Sequence, residues 1–356
     1  MLQFIIKKIA VGIASLFGVL TMVFVLFNLL PGDPAQMMLG QNQSEEQLAL
    51  VRKKYGFDRP LVQQYFLFLN DVSPISLHSI KAGDYTFFGE KYKGAKLPLG
   101  NYALALKKPY LRESFQKTGK RVSEVIAETF PNTIVLALVA ITIAVIIGCL
   151  LGIFAAINKG NIWDNVIQLI STVGVSVPSF FSAIIVAWLF GFVWYRYTGL
   201  NMSGNLYELD DFGEGSVLQL KNLILPAVVL GIRPLAVVSQ LMRNSLLEVF
   251  DQEYIRTAKA KGLNQFQIVW RHALKNALNP VVTAVSGWFA SMLAGAVFVE
   301  YIFGWNGIGK ELVNALNVSD LPIVMGIVLL IAVVFIVINI FVDILYLLLD
   351  PKMSMN

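Results

Sequence analysis

"EYIRTAKAKGLNQFQIVWRHALKN", Glu253 to Asn276, is a charged, alanine-rich stretch in a chain whose surroundings are apolar enough for a bilayer. From Leu246 to Lys261 the spacing predicts one helix, with Leu246, Phe250, Tyr254 and Ala258 on a shared face and charges elsewhere. Arg256, Lys259 and Lys261 fall in its last turns, where cations suit the negative end of the helix dipole. Gly262 suits the left-handed position that ends a helix. Asn264 can cap the next helix, whose expected apolar face is Phe266, Trp270, Ala273 and Ala277. The result is a helical corner, in which the small residues Ala258, Ala260 and Gly262 leave room for the surface of another protein. A solvated hairpin lying on lipid headgroups has the same shape. A basic helix-turn-helix for DNA does not suit a segment tethered between membrane spans, so nucleic acid is not an expected partner.

The 356 residues are 56% hydrophobic and only 14% charged, with a mean hydropathy of +0.66. Soluble domains carry roughly a quarter charged residues. The apolar residues fall in long runs, which points to a lipid bilayer and away from a set of soluble domains. The single cysteine, Cys149, lies inside such a run and excludes an internal disulfide. His78 and His272 are far apart in the sequence and suggest no metal cluster. The net charge of +5 reports first on orientation.

A helix needs about 20 apolar residues to cross roughly 30 Å of hydrocarbon. Six stretches qualify: Ile9 to Leu30, Thr133 to Ile157, Ile170 to Tyr195, Leu223 to Leu241, Val281 to Val299 and Pro322 to Leu349. The first follows Lys7 and Lys8 and ends at Pro31-Gly32-Asp33-Pro34. It is too long for the roughly 7–15-residue core of a signal peptide and reads as a retained span. Basic residues cluster in 242–279 (Arg243, Arg256, Lys259, Lys261, Arg271 and Lys275). The loop between the third and fourth stretches instead carries Glu208, Asp210, Asp211 and Glu214, with no basic residue between Arg196 and Lys221. The positive-inside rule then places both termini and the corner in the cytoplasm. The segment from Pro31 to Pro131 is rich in Lys and Arg yet must lie outside; long loops cross regardless of charge.

The expected organisation is an all-α integral membrane protein of six transmembrane helices. Residues 1–30 form the N-terminal segment and first span, and 31–131 an extracytoplasmic insertion. Residues 132–349 form a core of five further spans that includes the cytoplasmic segment 242–279, and 350–356 a cytoplasmic tail. Within the insertion, "SEEQLALVRKKYG" predicts a helix capped by Ser44 with Gln47 three residues on, with Leu48, Val51 and Tyr55 on one face. "RPLVQQYFLFL" predicts a second one starting at Pro60, with a stripe of Leu61, Tyr65, Phe66 and Leu69. From Asp71 to Lys120 the pattern breaks into Gly, Pro, Lys and aromatic residues, consistent with a small folded cap, a docking surface or a passive ordered loop.

"EYIRTAKAKGL" followed by "RHALKNALNPVVT" resembles the cytoplasmic loop of permease subunits of binding-protein-dependent ABC importers. The likeness is nearest to the B-type subunit of the dipeptide/oligopeptide/nickel branch. It extends over most of the chain: "LLPGDPA", "YGFDRPLVQQY", "VSEVIAETFPNT", "GVSVPSFF", "VFVEYIFGWNGIGKELVNAL" and "VDILYLLLDPK". The resemblance implies the type I importer permease fold. It also implies that Glu253, Tyr254, Arg256, Thr257, Ala258, Lys259, Ala260, Lys261 and Gly262 form a coupling helix seated in a groove of an ATPase. ATP and magnesium would be bound by two separate ATP-binding subunits and no cofactor by this chain. A C-type permease subunit would complete a heterodimeric pore, and an extracytoplasmic solute-binding protein would deliver the solute. The general family pattern opens Glu-Ala-Ala, where Arg256-Thr257-Ala258 stands here, as in the peptide/nickel branch. The Gly83-Asp84 motif is followed by a longer insertion than that branch carries, up to about Arg121.

"GWNGIGKE", Gly304 to Glu311, nearly spells a phosphate-cradling loop but has Glu311 where Ser or Thr would hold magnesium, and no strand precedes it. It reads as a turn. Arg233 falls near mid-membrane, where a charge costs roughly 2.5–3.5 kcal/mol on insertion scales. It must face solute or an ion-pair partner such as Asp343. Ser171, Thr172, Ser176, Ser179 and Ser182 surround Pro178 and mostly suit close helix packing, with Ser176 and Ser179 as candidates for the translocation path beside Arg233. A stand-alone secondary transporter or channel would want more intramembrane ionisable groups and paired broken helices. A membrane hydrolase would want a Ser–His pair or metal ligands within the spans. The importer reading fits best, with peptide, nickel complex or another solute left open.

Overall fold

The structure, a computed structural model, describes residues 2–29, 33–39, 44–89, 91–210 and 215–349. Pro31, Gly32, the loop acids Asp211 and Glu214, and the tail 350–356 lie outside the described residues. In chain order come α1 (Leu2–Leu29), α2 (Pro34–Leu39), α3 (Glu45–Tyr55) and α4 (Leu61–Val72). Strands β1 (Ile75–Ser79), β2 (Gly94–Leu99) and β3 (Tyr102–Lys107) follow. The long α5 (Val122–Ile157) precedes α6 (Ile162–Ser176), α7 (Ser179–Trp188), a π-helical turn at Leu189–Val193, and α8 (Tyr195–Thr198). An antiparallel pair, β4 (Tyr207–Leu209) and β5 (Ser216–Leu218), leads to α9 (Lys221–Phe250), α10 (Glu253–Ala260) and α11 (Gln265–Gln267). A second π-helical turn, Ile268–Ala273, runs into α12 (Leu274–Gly295), α13 (Val297–Ile302), α14 (Ile308–Asn317) and α15 (Leu321–Leu349).

Among the described residues, four helices are long and apolar enough to cross a membrane: Ile6–Leu26, Val122–Ile157, Lys221–Phe250 and Leu321–Ile344. The expected third span is not straight. Ile162–Ser176 and Ser179–Val193 meet at 107° and add a fifth crossing if they count as one span. Pro178 causes the break: it has no N–H to donate, and it drives Val177 to an extended ψ of 130°. The expected stretch Val281 to Val299 falls on α12 and α13. α12 carries Asn276, Asn279, Thr283 and Ser286 and is not among the four.

The chain forms two compact units. The first comprises Met1–Lys8, Thr129–Glu311 and Val334–Asn356. Its centre is a glycine seam between α5 and α9. A Cβ on Gly148 would lie 2.8 Å from the Leu235 carbonyl oxygen, one on Gly152 2.5 Å from that of Ser239, and one on Gly231 2.9 Å from that of Ala140. Backbone meets backbone there, as small residues allow between membrane helices.

The second unit comprises Ile9–Glu128 and Leu312–Val333. Ser44 and Gln47 form the expected reciprocal cap of α3, and Gly56 ends that helix at φ 74°. On α4 the expected stripe is turned. Leu61 and Phe66 are exposed, while Phe68 and Val72 pack with Phe24 and Leu329. The Asp71 to Lys120 segment folds into an antiparallel sheet in the order β1-β3-β2. Its alternation is inverted: β3 buries Ala103, Ala105 and Lys107 and exposes Tyr102, Leu104 and Leu106. The register sets Ile75 and Leu77 of β1 and Leu97 and Leu99 of β2 beside them, giving one exposed apolar face.

Gly152→Ala is expected to cost about 1–3 kcal/mol through overpacking at the seam. Gly18→Ala, whose Cβ would meet nothing within 4 Å, is expected to cost nothing. Thermal unfolding of the detergent-purified variants checks the contrast.

Candidate functional site

The corner differs from its sequence reading in two ways. The helix expected from Leu246 to Lys261 is broken: α9 stops at Phe250, Gln252 is extended (φ −72°, ψ 147°), and α10 starts afresh at Glu253. The break re-aims the face, so Ile255 and Ala258 point inward and Tyr254 outward. Ile255 and Ala258 join Met242, Leu246, Ile268, Val269 and Ala273 in one buried cluster. The expected face of the following helix is likewise split. Ala273 and Ala277 are buried, but Phe266 and Trp270 are exposed, their rings 5.9 Å apart. The π-helical turn at Ile268–Ala273 inserts an extra residue and rotates Ile268 and Val269 into the core instead.

Glu253, Tyr254, Arg256, Thr257, Lys259, Ala260, Lys261 and Gly262 are all exposed, whereas Ala258 is in the core. Arg256 pairs with Glu253 at 2.7 Å, on the open surface where such a pair contributes little. Thr257 donates its hydroxyl to the Glu253 carbonyl at 3.1 Å, and the Tyr254 hydroxyl accepts from the Asn276 amide at 2.8 Å. Gly262 takes φ 78°, and a Cβ there would meet nothing within 4 Å. Asn264 and Gln267 then form a reciprocal cap that starts the return helix. The corner is thus a rigid knuckle with one rooted face and one bare face.

Behind the knuckle, α9 holds α6 at two points. Arg243 donates Nε and Nη2 to the two oxygens of Asp164, both at 2.6 Å, and Gly160 adds its N–H at 3.0 Å. Nearer the bend, Arg233 Nε donates to the Val175 carbonyl at 3.3 Å. That carbonyl is open because Ser179, its normal helical partner, begins the next helix beyond Pro178. Arg233 and Arg243 are ten residues apart, and Val175 and Asp164 eleven, so the two grips are about 15–17 Å apart on both helices. Arg233 and the Ser176–Ser179 region therefore do come together. Ser176 itself is exposed and returns its hydroxyl to the Thr172 carbonyl at 2.8 Å, and Ser179 is half-buried. The expected pairing of Arg233 with Asp343 is not formed: Lys8 takes the Asp343 carboxylate at 2.7 Å.

Glu300 is the functional-looking residue that the sequence reading did not single out. It is fully buried and sits behind the near-phosphate loop. One carboxylate oxygen accepts from the Thr133 hydroxyl at 2.7 Å, the other from the backbone N–H groups of Gly309 at 2.6 Å and Lys310 at 3.3 Å. The Thr133 hydroxyl oxygen accepts the Ile308 N–H at 2.9 Å, and Trp305 donates its indole N–H to the Asn132 carbonyl at 3.0 Å. A Cβ on Gly307 would fall 2.3 Å from the Glu300 carboxylate. The donors that would cradle a phosphate are already bound to the chain's own carboxylate, so the loop is a structural lock.

The family profile described as "Binding-protein-dependent transport system inner membrane component" matches residues 148–355, and the N-terminal profile of such membrane components matches residues 1–137. The chain belongs to this family of permeases. Similar permeases span its whole length. The di/tripeptide transport system permease protein DppB of Pseudomonas aeruginosa is 35% identical over 369 residues, covering 99% of this chain and 98% of its own. The dipeptide permease DppB of Alkalihalophilus pseudofirmus is 32% identical, covering 99% and 100%, and that of Escherichia coli K12 31%, covering 99% and 98%. A chain of the MetNI methionine ABC transporter, solved in inward-facing conformations, superposes with a TM-score of 0.47 at 16% identity, over 62% of this chain and 96% of its own.

In this permease, Arg243→Met leaves Asp164 buried without its cation and is expected to cost about 3–5 kcal/mol. Asp164→Leu combined with Arg243→Met is expected to cost clearly less. Thermal unfolding of the two variants beside the wild type decides it; equal losses would mean that the pair is not a clamp.

Proposed function

We propose that this permease forms one half of the pore of an ATP-driven importer of short peptides, with α10 as its coupling helix. The observation that carries the reading is the knuckle. The contacts of its outer residues stay on the exposed surface (Arg256 with Glu253, Thr257 with the Glu253 carbonyl, Tyr254 with Asn276), while Ile255 and Ala258 root it on α9, and α9 grips α6 at two points, one of them Arg233 of the candidate path. A push on α10 therefore reaches the Pro178 bend through two packed helices. The bare, basic outer face suits a groove on an ATPase subunit, and the absence of side-chain bulk at Ala260 and Gly262 lets that groove close over it. ATP and magnesium belong to the two ATPase subunits in this reading.

The bent α6–α7 pair and α12 complete six crossings in a type I arrangement, with both termini and the knuckle cytoplasmic, as the excess of basic residues in 242–279 favours. The second pore half is a related C-type permease. The sheet-bearing insertion lies outside, where its apolar face meets the partner subunit or the solute-binding protein. Short peptides as solute are favoured by the full-length likeness to di- and tripeptide permeases. Arg233, Ser176 and Ser179 line the passage, Arg233 offering a cation to peptide carbonyls or carboxylates.

The test is purification of the tagged chain from native membranes in mild detergent, followed by peptide uptake in proteoliposomes. The wild type is expected to bring a second permease and ATPase subunits with it. Gly262→Arg, which fills the open space above the knuckle, is expected to lose the ATPases and ATP-driven uptake while keeping the second permease. Gly262→Asn, which tolerates the left-handed backbone, is expected to be milder. A chain that purifies alone and transports without ATP would sink the importer reading.

A further inference from the structure

The sheet-bearing unit contains a cavity of about 700 Å3, within the range of small-molecule sites. Behind it, at the end of α4, the side chain of Asp71 is buried. The hydroxyls of Tyr92 and Tyr85 donate to its two oxygens at 2.7 and 3.2 Å. Lys91 and Arg112 stand back at 3.8 and 3.6 Å, close enough to feel the charge but too far to hydrogen-bond it. Lys107 donates to the Asp71 carbonyl and lies 5.0 Å from the ring centre of Tyr92. Three cations thus surround one buried carboxylate whose oxygens are held by phenols, and positive charge is left over at the cavity wall.

Two further features mark that wall. Arg112 takes φ 67°, a region that costs a side-chain-bearing residue strain. It is pinned there on either side, by Tyr110 N–H to the Asp71 carbonyl at 2.9 Å and by Val122 N–H to its own carbonyl at 3.1 Å. Its Nε is buried and forms no hydrogen bond within the protein. Lys91 is caged, its ammonium 3.9 Å from the ring centre of Tyr85, 5.0 Å from Tyr110 and 5.1 Å from Tyr92. Both cations line the cavity, together with Tyr85, Tyr110 and the carboxylates Asp84 and Glu113. Asp84 belongs to the Gly83-Asp84 pair, and Ser79 fixes it with a hydroxyl hydrogen bond at 2.5 Å.

Arginine presents paired donors that match a carboxylate, tyrosine rings offer apolar walls, and acidic side chains suit an ammonium. A ligand carrying all three features is a zwitterion with an apolar body. We propose that this cavity binds the solute itself before passage, as a short free peptide, with Arg112 and Lys91 taking its carboxylate and Asp84 and Glu113 its ammonium. The proposal rests on the importer reading for the choice of peptide, but its test does not use transport.

Trialanine is titrated calorimetrically into the full-length chain in detergent. Saturable binding is expected, and it is expected to weaken about tenfold or more when the peptide carboxylate is amidated, as loss of a charge-assisted hydrogen bond implies. Arg112→Asn, which tolerates the left-handed backbone, is expected to weaken trialanine by a similar factor, and Lys91→Met is a second variant should the first unfold. Arg233→Met is expected to leave binding unchanged, separating this cavity from the candidate path. Equal binding of amidated trialanine, loss of binding in Arg233→Met but not in Arg112→Asn, or inorganic phosphate binding as tightly as trialanine would each overturn the site. Failure here leaves ATP-driven uptake intact, whereas failure of uptake with binding retained overturns the importer and keeps the site.

Discussion

The close approach of α5 and α9 is the constraint on which the membrane unit depends. Apolar side chains gain little by leaving lipid for protein, so two membrane helices hold together by packing and polar contacts. Gly148, Gly152 and Gly231 bring backbone against backbone, and this fixes where α9 runs. Once α9 is fixed, Arg243 and Arg233 reach α6 at matched intervals, and Ile255 and Ala258 seat the knuckle on the end of α9. Arg233, in the middle of α9, and the knuckle seated at its end are thus positioned by one helix.

The chain handles its ionisable groups near the apolar interior with economy. Asp164 and Arg243 are joined in a fork, Lys8 and Asp343 neutralise each other, and Glu300 is surrounded by donors that its own loop supplies. Arg233 is the exception, since its one described polar contact is a backbone carbonyl released by a proline break.

Local signals in the sequence were read correctly wherever the physics is local. Ser44 with Gln47, Asn264 capping the return helix, and Gly56 and Gly262 at helix ends act within three or four residues of themselves. The break at Asp251–Gln252 carries neither Gly nor Pro and was invisible for that reason. The π-helical turn at Ile268–Ala273 defeats any reading based on a period of 3.6, and so exchanged the buried and exposed faces there. The sheet was hidden because β3 places alanine inside and leucine outside, the reverse of the usual alternation. Arg243 with Asp164, and Glu300 with Thr133, pair across 79 and 167 positions, distances that no window along the chain can span. The nine corner residues from Glu253 to Gly262 singled out on family motifs are exposed except for Ala258, which lies in the core.

The apolar face of the β1-β3-β2 sheet has a consequence for the life of the chain. Both edge strands are short, and beside them Ile75, Leu77, Leu97, Tyr102 and Leu106 stand open to water. An exposed apolar sheet face is the kind of surface through which polypeptides associate. A chain in which this face is uncovered is therefore expected to self-associate through it more readily than one in which the face is covered.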